Sequence, residues 1–305
     1  MDKLQKATSG LPVQENTKKI LASALSENTL RGYRGCLAAL SSWLGDRSLD
    51  DVLLAEYLTH LHEVGRSPGT IAKVVSAVRW RAKYSGNSDL ELTLTNGVLA
   101  GIRREGKDRG RGQVDGLTWA QVERVCAFAE SDRTVAGLRD SAMIRLMSDC
   151  LLRVAEVVAV DISDFEKQTL LIRKSKTDQT GIGESLYVGE DTRKILTRYR
   201  TGASITEGAL FRRIRRGDHI QRQRLTCQSA RQIIVKRANA AGFDGFISGH
   251  SLRVGSAVSL AQAGASVVNM QEAGRWKSPQ MPAHYARAEL AERGAIARYK
   301  YGKSG

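Results

Sequence analysis

Residues 103–116, RREGKDRGRGQVDG, hold four glycines and a crowd of charges with almost no apolar side chain. One hydrophobic core cannot run through such a stretch, whose composition is that of a linker. The 305 residues therefore divide into two folding bodies, in keeping with usual domain sizes. With 42% hydrophobic and 26% charged residues, each body has enough apolar material for a core.

The first body reads as helices joined by short turns. Ser26 caps a helix whose Leu30, Tyr33, Leu37, Leu40 and Leu44 recur every three or four positions, and Gly45 stops it. Val52, Leu53, Tyr57, Leu58 and Leu61 repeat the pattern. A third helix starts with Ser67 as cap and Pro68 in its first turn, burying Ile71, Val74, Val75 and Val78. A shorter helix is expected over Gly97–Arg104. The second body opens on a capping box, Thr118 with Gln121, flanked by the staple pair Leu117 and Val122. Helices are expected around Leu138–Cys150 and Val154–Val160. Strands are expected at 169–176 and 185–188 around the turn TDQTGIGE, and helices resume from Asp191. The last 55 residues read as helical pieces broken at Gly264, Gly274 and Gly294. The expected organisation is a flexible arm (1–20), a helical body (21–105), a basic linker (106–116), a second body (117–286) and a tail (287–305).

Net charge is +15, and it is spread over both bodies. Residues 1–113 hold 17 basic against 12 acidic side chains, and residues 114–305 hold 30 against 20. That is the footprint of a polyanion binder gripping through folded surfaces. A membrane surface would attract the same charge, but no basic amphipathic anchor or lipidation motif is present. No apolar run reaches the 18 or so residues of a membrane span, and the polar N-terminus does not resemble a secretory signal. A cytoplasmic protein is expected. The four cysteines are scattered and expected to be buried, reduced thiols. His60 and His62 lack a third ligand, so no metal is expected. Neither a phosphate-binding loop nor a dinucleotide fingerprint occurs, and no cofactor is expected.

Several clusters suit phosphate chemistry. Arg153 and Glu156 share a helix face in CLLRVAEVV; Arg173, Lys174 and Lys176 crowd a strand end; His250 and Arg253 lie one turn apart in GHSLRVG; Trp276 and Tyr285 follow. Singly, each is ordinary: a helical ion pair, surface decoration, a half-buried aromatic. Their order and chemical agreement carry more.

That ordered set resembles the tyrosine recombinases, most of all their Cre-type branch. SGHSLRVGSA, QEAGRW and ERGAIAR carry the likeness, which spans most of residues 117–300. Val254 stands where many members carry a second basic residue, and Trp276 where many carry histidine. The resemblance implies a mostly α fold: an N-terminal helical core-binding domain plus an α-rich catalytic domain with a small antiparallel β-hairpin or sheet. It also implies roles. Tyr285 attacks a DNA phosphodiester and forms a 3′-phosphotyrosine. Arg153 and Arg253 clamp the non-bridging oxygens. Lys176 is the general acid, His250 receives the tyrosine proton or bonds the phosphate, Trp276 packs the pocket and donates its indole N–H, and Glu156 orients its neighbours. The residue chemistry agrees. Fixed guanidiniums are strong donors to the charge gathering on a phosphate, and two of them favour the phenolate form of a nearby tyrosine.

Phosphate and base contacts are expected from four places. The helix at 71–84 offers Lys73, Arg79, Arg81 and Lys83, and the linker offers Arg109 and Arg111. The basic stretch FRRIRRGDHIQRQRL offers Arg212, Arg213, Arg215 and Arg216. The helix at 229–241, with Gln228 just before it, offers Gln228, Arg231 and Gln232; Arg79, Arg81 and these three are the candidates for base edges. The expected partner is double-stranded DNA carrying inverted-repeat sites. The tail, with Leu290, Ile296 and Tyr299, is expected to dock on a neighbouring copy and tie four protomers together on two sites. Accessory proteins are not indicated. The readings to weigh against a recombinase are a catalytically silent DNA-binding regulator, a relaxing enzyme of the type IB topoisomerase kind, and a scaffold. Target sequence, host element and the choice between integration, excision and resolution stay open.

Overall fold

The computed structural model describes residues 14–84, 91–109, 112, 114–173, 183–287 and 299–302. The chain splits into two compact units, Met1–Gly112 and Gln113–Gly305. Both are mostly helical, and small antiparallel sheets occur in the second.

The first unit contains α1 (Glu15–Ser23), α2 (Glu27–Leu44), α3 (Asp51–Glu63), α4 (Pro68–Tyr84) and α5 (Thr93–Glu105). Ser26 caps α2 as expected, its hydroxyl accepting from Thr29 N at 3.2 Å, and Gly45 ends it at φ 60°. Leu40, Leu54, Leu58, Ile71, Val75 and Leu99 build one core. Two local expectations fail. Residues 15–20, expected in a flexible arm, lie in α1, a helix too short to declare itself by periodicity. Helix α5 starts four residues before Gly97 because Asp51, at the start of α3, caps it across the fold. Its carboxylate accepts from Leu94 N at 2.8 Å and Thr95 N at 2.9 Å. A cap supplied from over 40 residues away leaves no local signature.

The second unit runs through α6 (Trp119–Ser131), α7 (Val135–Asp149), α8 (Val154–Ala159), β1 (Phe165–Glu166), β2 (Thr169–Ile172), β3 (Glu184–Tyr187), α9 (Glu190–Gly202), β4 (Arg212–Arg215), β5 (His219–Arg224), α10 (Cys227–Ala240), α11 (Ser251–Gln262), α12 (Val267–Gly274) and α13 (Gln280–Tyr285). The Gln121 side chain accepts from Thr118 N at 2.8 Å, completing the expected capping box, and Leu117 and Val122 are both buried. Ten of the fifteen residues of α7 are buried, and Met143, Ile144 and Met147 pack with Leu152, Val157, Tyr199, Phe211 and Ile234. Its buried Asp140 accepts from Arg139 and, at 2.8 Å, from Arg237 Nε of α10, so the charge is paired and α10 is tied to the core.

Strands β1–β2–β3 form one antiparallel sheet, with Leu170 opposite both Phe165 and Leu186. Strand β2 ends at Ile172, short of the expected 169–176, because Arg173 leaves the strand to bond Asp161 and Asp164; residues 174–176 lie outside the described residues, and β1 was not expected. The basic stretch 211–225, which carries no strand signal in its sequence, folds as the hairpin β4–β5 with Ile214 opposite Ile220. Arginines between the isoleucines conceal its period of two. Cys126 and Cys150 are buried as expected, and burial pushes both thiols up to about 12; Cys36 and Cys227 are only half-buried. No described helix is long and apolar enough to cross a membrane.

Candidate active site

The candidate catalytic residues Arg153, Glu156, His250, Arg253, Trp276 and Tyr285 converge; Lys176 lies with Lys174 outside the described residues, and Arg173 is bonded instead to Asp161 at 2.6 Å and Asp164 at 2.8 Å. Helix α7 ends in a turn at Leu151, whose φ of 46° aims its carbonyl inward. Arg153 is the N-cap of α8, and Glu156 does two jobs from the first turn of that helix. Its Oε2 accepts from Arg153 N at 2.9 Å, and its Oε1 accepts from Arg153 Nη1 at 2.6 Å. The carboxylate is 3% exposed, so helix cap and ion pair are one buried feature.

Helix α11 brings Arg253, and the two glycines of GHSLRVG's neighbourhood explain how closely. A Cβ on Gly255 would fall 1.9 Å from Leu117 O, and one on Gly249 would fall 2.3 Å from a Val154 methyl. Leu117 N donates to Ser251 O at 3.0 Å, and the Ser256 hydroxyl donates to Ser148 O at 2.9 Å. Arg253 is therefore fixed and only 1% exposed. Its Nη1 donates to Leu151 O and its Nη2 to Gly274 O. The Trp276 ring covers its guanidinium at 4.3 Å. Burial, then the Arg153 and Arg275 charges, push Arg253 down to about 9, which leaves it protonated at neutral pH.

His250 stands at the N-cap of α11, and Tyr285 ends α13. His250 Nε2 lies 3.0 Å from the Tyr285 hydroxyl, and the Trp276 and Tyr285 ring centres are 6.0 Å apart. Burial, then Arg253 and Arg153, hold the imidazole below its ordinary value, so it is neutral at pH 7. With its proton on Nδ1, such a ring accepts the phenol hydrogen through Nε2. One expectation needs correcting. Arg253 and Arg153 do lower the Tyr285 phenol, but burial outweighs them and its pKa stands above the ordinary value. Tyr285 therefore rests as a phenol.

Sequence reasoning missed Arg275. It caps α12 in the left-handed region (φ 53°, ψ 46°), is buried, and donates from Nη2 to Glu156 Oε2 at 2.8 Å. The neighbouring Gly274 looks like the natural left-handed residue, but it serves another need: a Cβ there would fall 1.8 Å from the Trp276 ring.

The other candidates belong to other elements, although Arg231 Cγ would lie 3.2 Å from a Cβ on Gly249, next to His250. In the first unit Lys73, Arg79 and Lys83 are exposed on α4 and Arg81 is half-buried. Arg79 is bonded to the Asn96 side chain, and Arg109 donates to His62 O at 2.6 Å. Arg111 lies outside the described residues. In the second unit Arg213, Arg215 and Arg216 are exposed, whereas Arg212 turns inward to the Ala209 and Glu207 carbonyls. Gln228, Arg231 and Gln232 are exposed on or within α10.

Residues 116–292 match the phage integrase family, and residues 19–82 match the N-terminal SAM-like domain of phage integrases. The chain belongs to the phage integrase family. Among its relatives is an integrase/recombinase XerD homolog of Selenomonas ruminantium, 27% identical over 290 residues, 88% of this chain and 84% of the relative. Another is the recombinase Cre of Escherichia phage P1, 23% identical over 267 residues, 80% of this chain and 77% of the relative. The fold is similar to that of the XerH site-specific recombinase bound to a palindromic difH substrate (TM-score 0.70, 16% identity, 98% of this chain and 89% of that one). It is also similar to a lambda integrase dimer bound to a COC′ core site (TM-score 0.64, 18% identity, 89% and 75%).

Proposed function

We propose that this protein is a site-specific recombinase that cleaves and rejoins DNA through a 3′-phosphotyrosine at Tyr285. The observation that carries the reading is the 3.0 Å contact between the Tyr285 hydroxyl and His250 Nε2, beside two arginines. The Tyr285 oxygen attacks phosphorus as its proton passes to His250. The bond from phosphorus to the 5′-oxygen breaks, and the leaving oxygen takes a proton from Lys176, a role resting on the family resemblance. Arg153 and Arg253 offset the charge on the non-bridging oxygens, an effect of a few kcal/mol per donor. Rejoining is the reverse, with a 5′-hydroxyl attacking the phosphotyrosine. Phosphoester energy is conserved, so neither ATP nor a metal is needed.

The substrate is double-stranded DNA with inverted-repeat sites. Arg213, Arg215 and Arg216 on the hairpin, and Lys73, Lys83, Arg109 and Arg111 in the first unit, supply phosphate contacts; Arg79, Arg81, Gln228, Arg231 and Gln232 face bases. The tail, 287–305, docks on a neighbouring copy, giving a tetramer on two sites that integrates, excises or resolves a mobile element in the cytoplasm. DNA-bound neighbours of the same fold support the choice of partner.

The test begins with a randomised duplex library, from which covalent capture recovers the cleaved site. Two copies then go into one supercoiled plasmid. Deletion or inversion between them is expected, with none from Tyr285→Phe although it still binds. Relaxation without exchange would instead mark a topoisomerase, and binding without any adduct a silent regulator.

A further inference from the structure

Arg275 sits inside the site, yet the steps above give it no work. Its backbone occupies the left-handed region that favours glycine, and its side chain is 4% exposed. Its Nε and Nη1 are buried without a hydrogen-bond partner among the described residues. A strained backbone and half-bonded buried cation both oppose folding, and such features persist where function requires them.

Two links say what that function is. Glu156 Oε2 accepts from Arg275 Nη2 at 2.8 Å, while Oε1 of the same carboxylate holds Arg153 Nη1 at 2.6 Å. Leu151 O lies 3.4 Å from Arg275 Nη2 and also accepts from Arg253 Nη1. Through one carboxylate and one carbonyl, Arg275 touches the supports of both arginines assigned to the phosphate. Charge agrees with geometry. Glu156 alone would neutralise Arg153 and leave Arg253 as the cluster's net charge. With Arg275 the three guanidiniums exceed the one carboxylate by two. A phosphodiester attacked by a phenolate carries two negative charges in its transition state, one from each partner.

We infer that Arg275 is a positioning residue for strand transfer: it shares Glu156 with Arg153 and Leu151 O with Arg253, locking both guanidiniums into one doubly positive cradle. This rests on the reading of Tyr285 as nucleophile. Glycine suits the backbone at 275 better than arginine does, so Arg275→Gly is expected to fold, and a loss of rate in it is separable from a loss of fold.

The experiment uses the full chain and a nicked duplex carrying the captured site. It measures single-turnover adduct formation and DNA affinity separately. Arg275→Gly is expected to melt no lower than the parent and to bind DNA equally, while forming adduct about 10- to 100-fold more slowly, the range seen when a support of a functional group is removed. Arg275→Lys, which keeps charge and one donor toward Glu156, recovers part of the rate, and Arg275→Gln does not. Adding Arg275→Gly to Glu156→Gln causes little further loss, because the two act in series. Parental cleavage by Arg275→Gly, losses that multiply in the double variant, or a loss matched by the unfolded fraction each overturn the inference. Should the parent not cleave, the proposed function fails, and the positioning claim is still decided by side-chain ¹⁵N resonances of arginine. Arg275→Gly must shift the Arg153 Nε signal, and an unmoved signal refutes the shared carboxylate.

Discussion

In the proposed mechanism a phenol that burial holds protonated must lose its hydrogen before it attacks phosphorus, and His250 Nε2, 3.0 Å from the Tyr285 hydroxyl, accepts it when the ring proton is on Nδ1. The direction of the histidine shift sets the pH behaviour. Burial and the neighbouring arginines lower its pKa, so the base form is complete at neutral pH and above. Single-turnover cleavage is therefore expected to be flat near pH 7 and to fall only as pH drops through a value below about 6.5. His250→Gln is expected to lose that acid limb and to cleave about 10²-fold or more slowly. An acid limb that survives the substitution would assign the proton to another group. At this scale most of the site was legible, because Arg153, Glu156, His250, Arg253, Trp276 and Tyr285 are chemistry-bearing residues in a recognisable order. Arg275 was not. Nothing in GRW tells which residue takes the left-handed turn, and the answer depends on the Trp276 ring packing against Gly274. The tyrosine's raised pKa was equally hidden, since charge is visible in a sequence and desolvation is not.

Elements were legible where their signals are local. The caps at Ser26 and Thr118 and the periodic leucines of α2 mark helices that the structure contains. Failures cluster where partners are distant or patterns are masked: α5 capped by Asp51, and the β4–β5 hairpin disguised by arginine. The Asp51 cap has a measurable consequence. Burial tends to raise its carboxyl, but bonds from Thr95 and Leu94 hold it below the ordinary value. Its contribution is present above the unfolded carboxylate's pKa and is lost as pH falls through the lower folded one. Asp51→Ala is expected to cost about 0.5–2 kcal/mol in urea unfolding of the full chain near pH 7. A change within error would mean that the α5 N-terminus is satisfied by water instead.

For the whole molecule, the +15 charge found in the sequence becomes a statement about DNA only through placement. The hairpin alternates: Arg213 and Arg215 face solvent, whereas Arg212 is committed to carbonyls of its own chain. Substituting Arg213 or Arg215 with alanine is expected to weaken DNA binding and reduce the slope of log affinity against log salt by about one each. Arg212→Ala is expected to leave the slope unchanged and to lower stability. An equal slope change in all three would mean that strand geometry does not select the phosphate contacts.

Everything here depends on Tyr285 becoming covalently joined to DNA. The direct measurement is mass spectrometry of the peptide–nucleotide adduct trapped on a nicked duplex bearing the captured site, with the attached end sequenced. The account predicts a single adduct, on Tyr285, linked to a 3′-phosphate and leaving a 5′-hydroxyl. An adduct on any other residue, or a link to a 5′-phosphate, would contradict it.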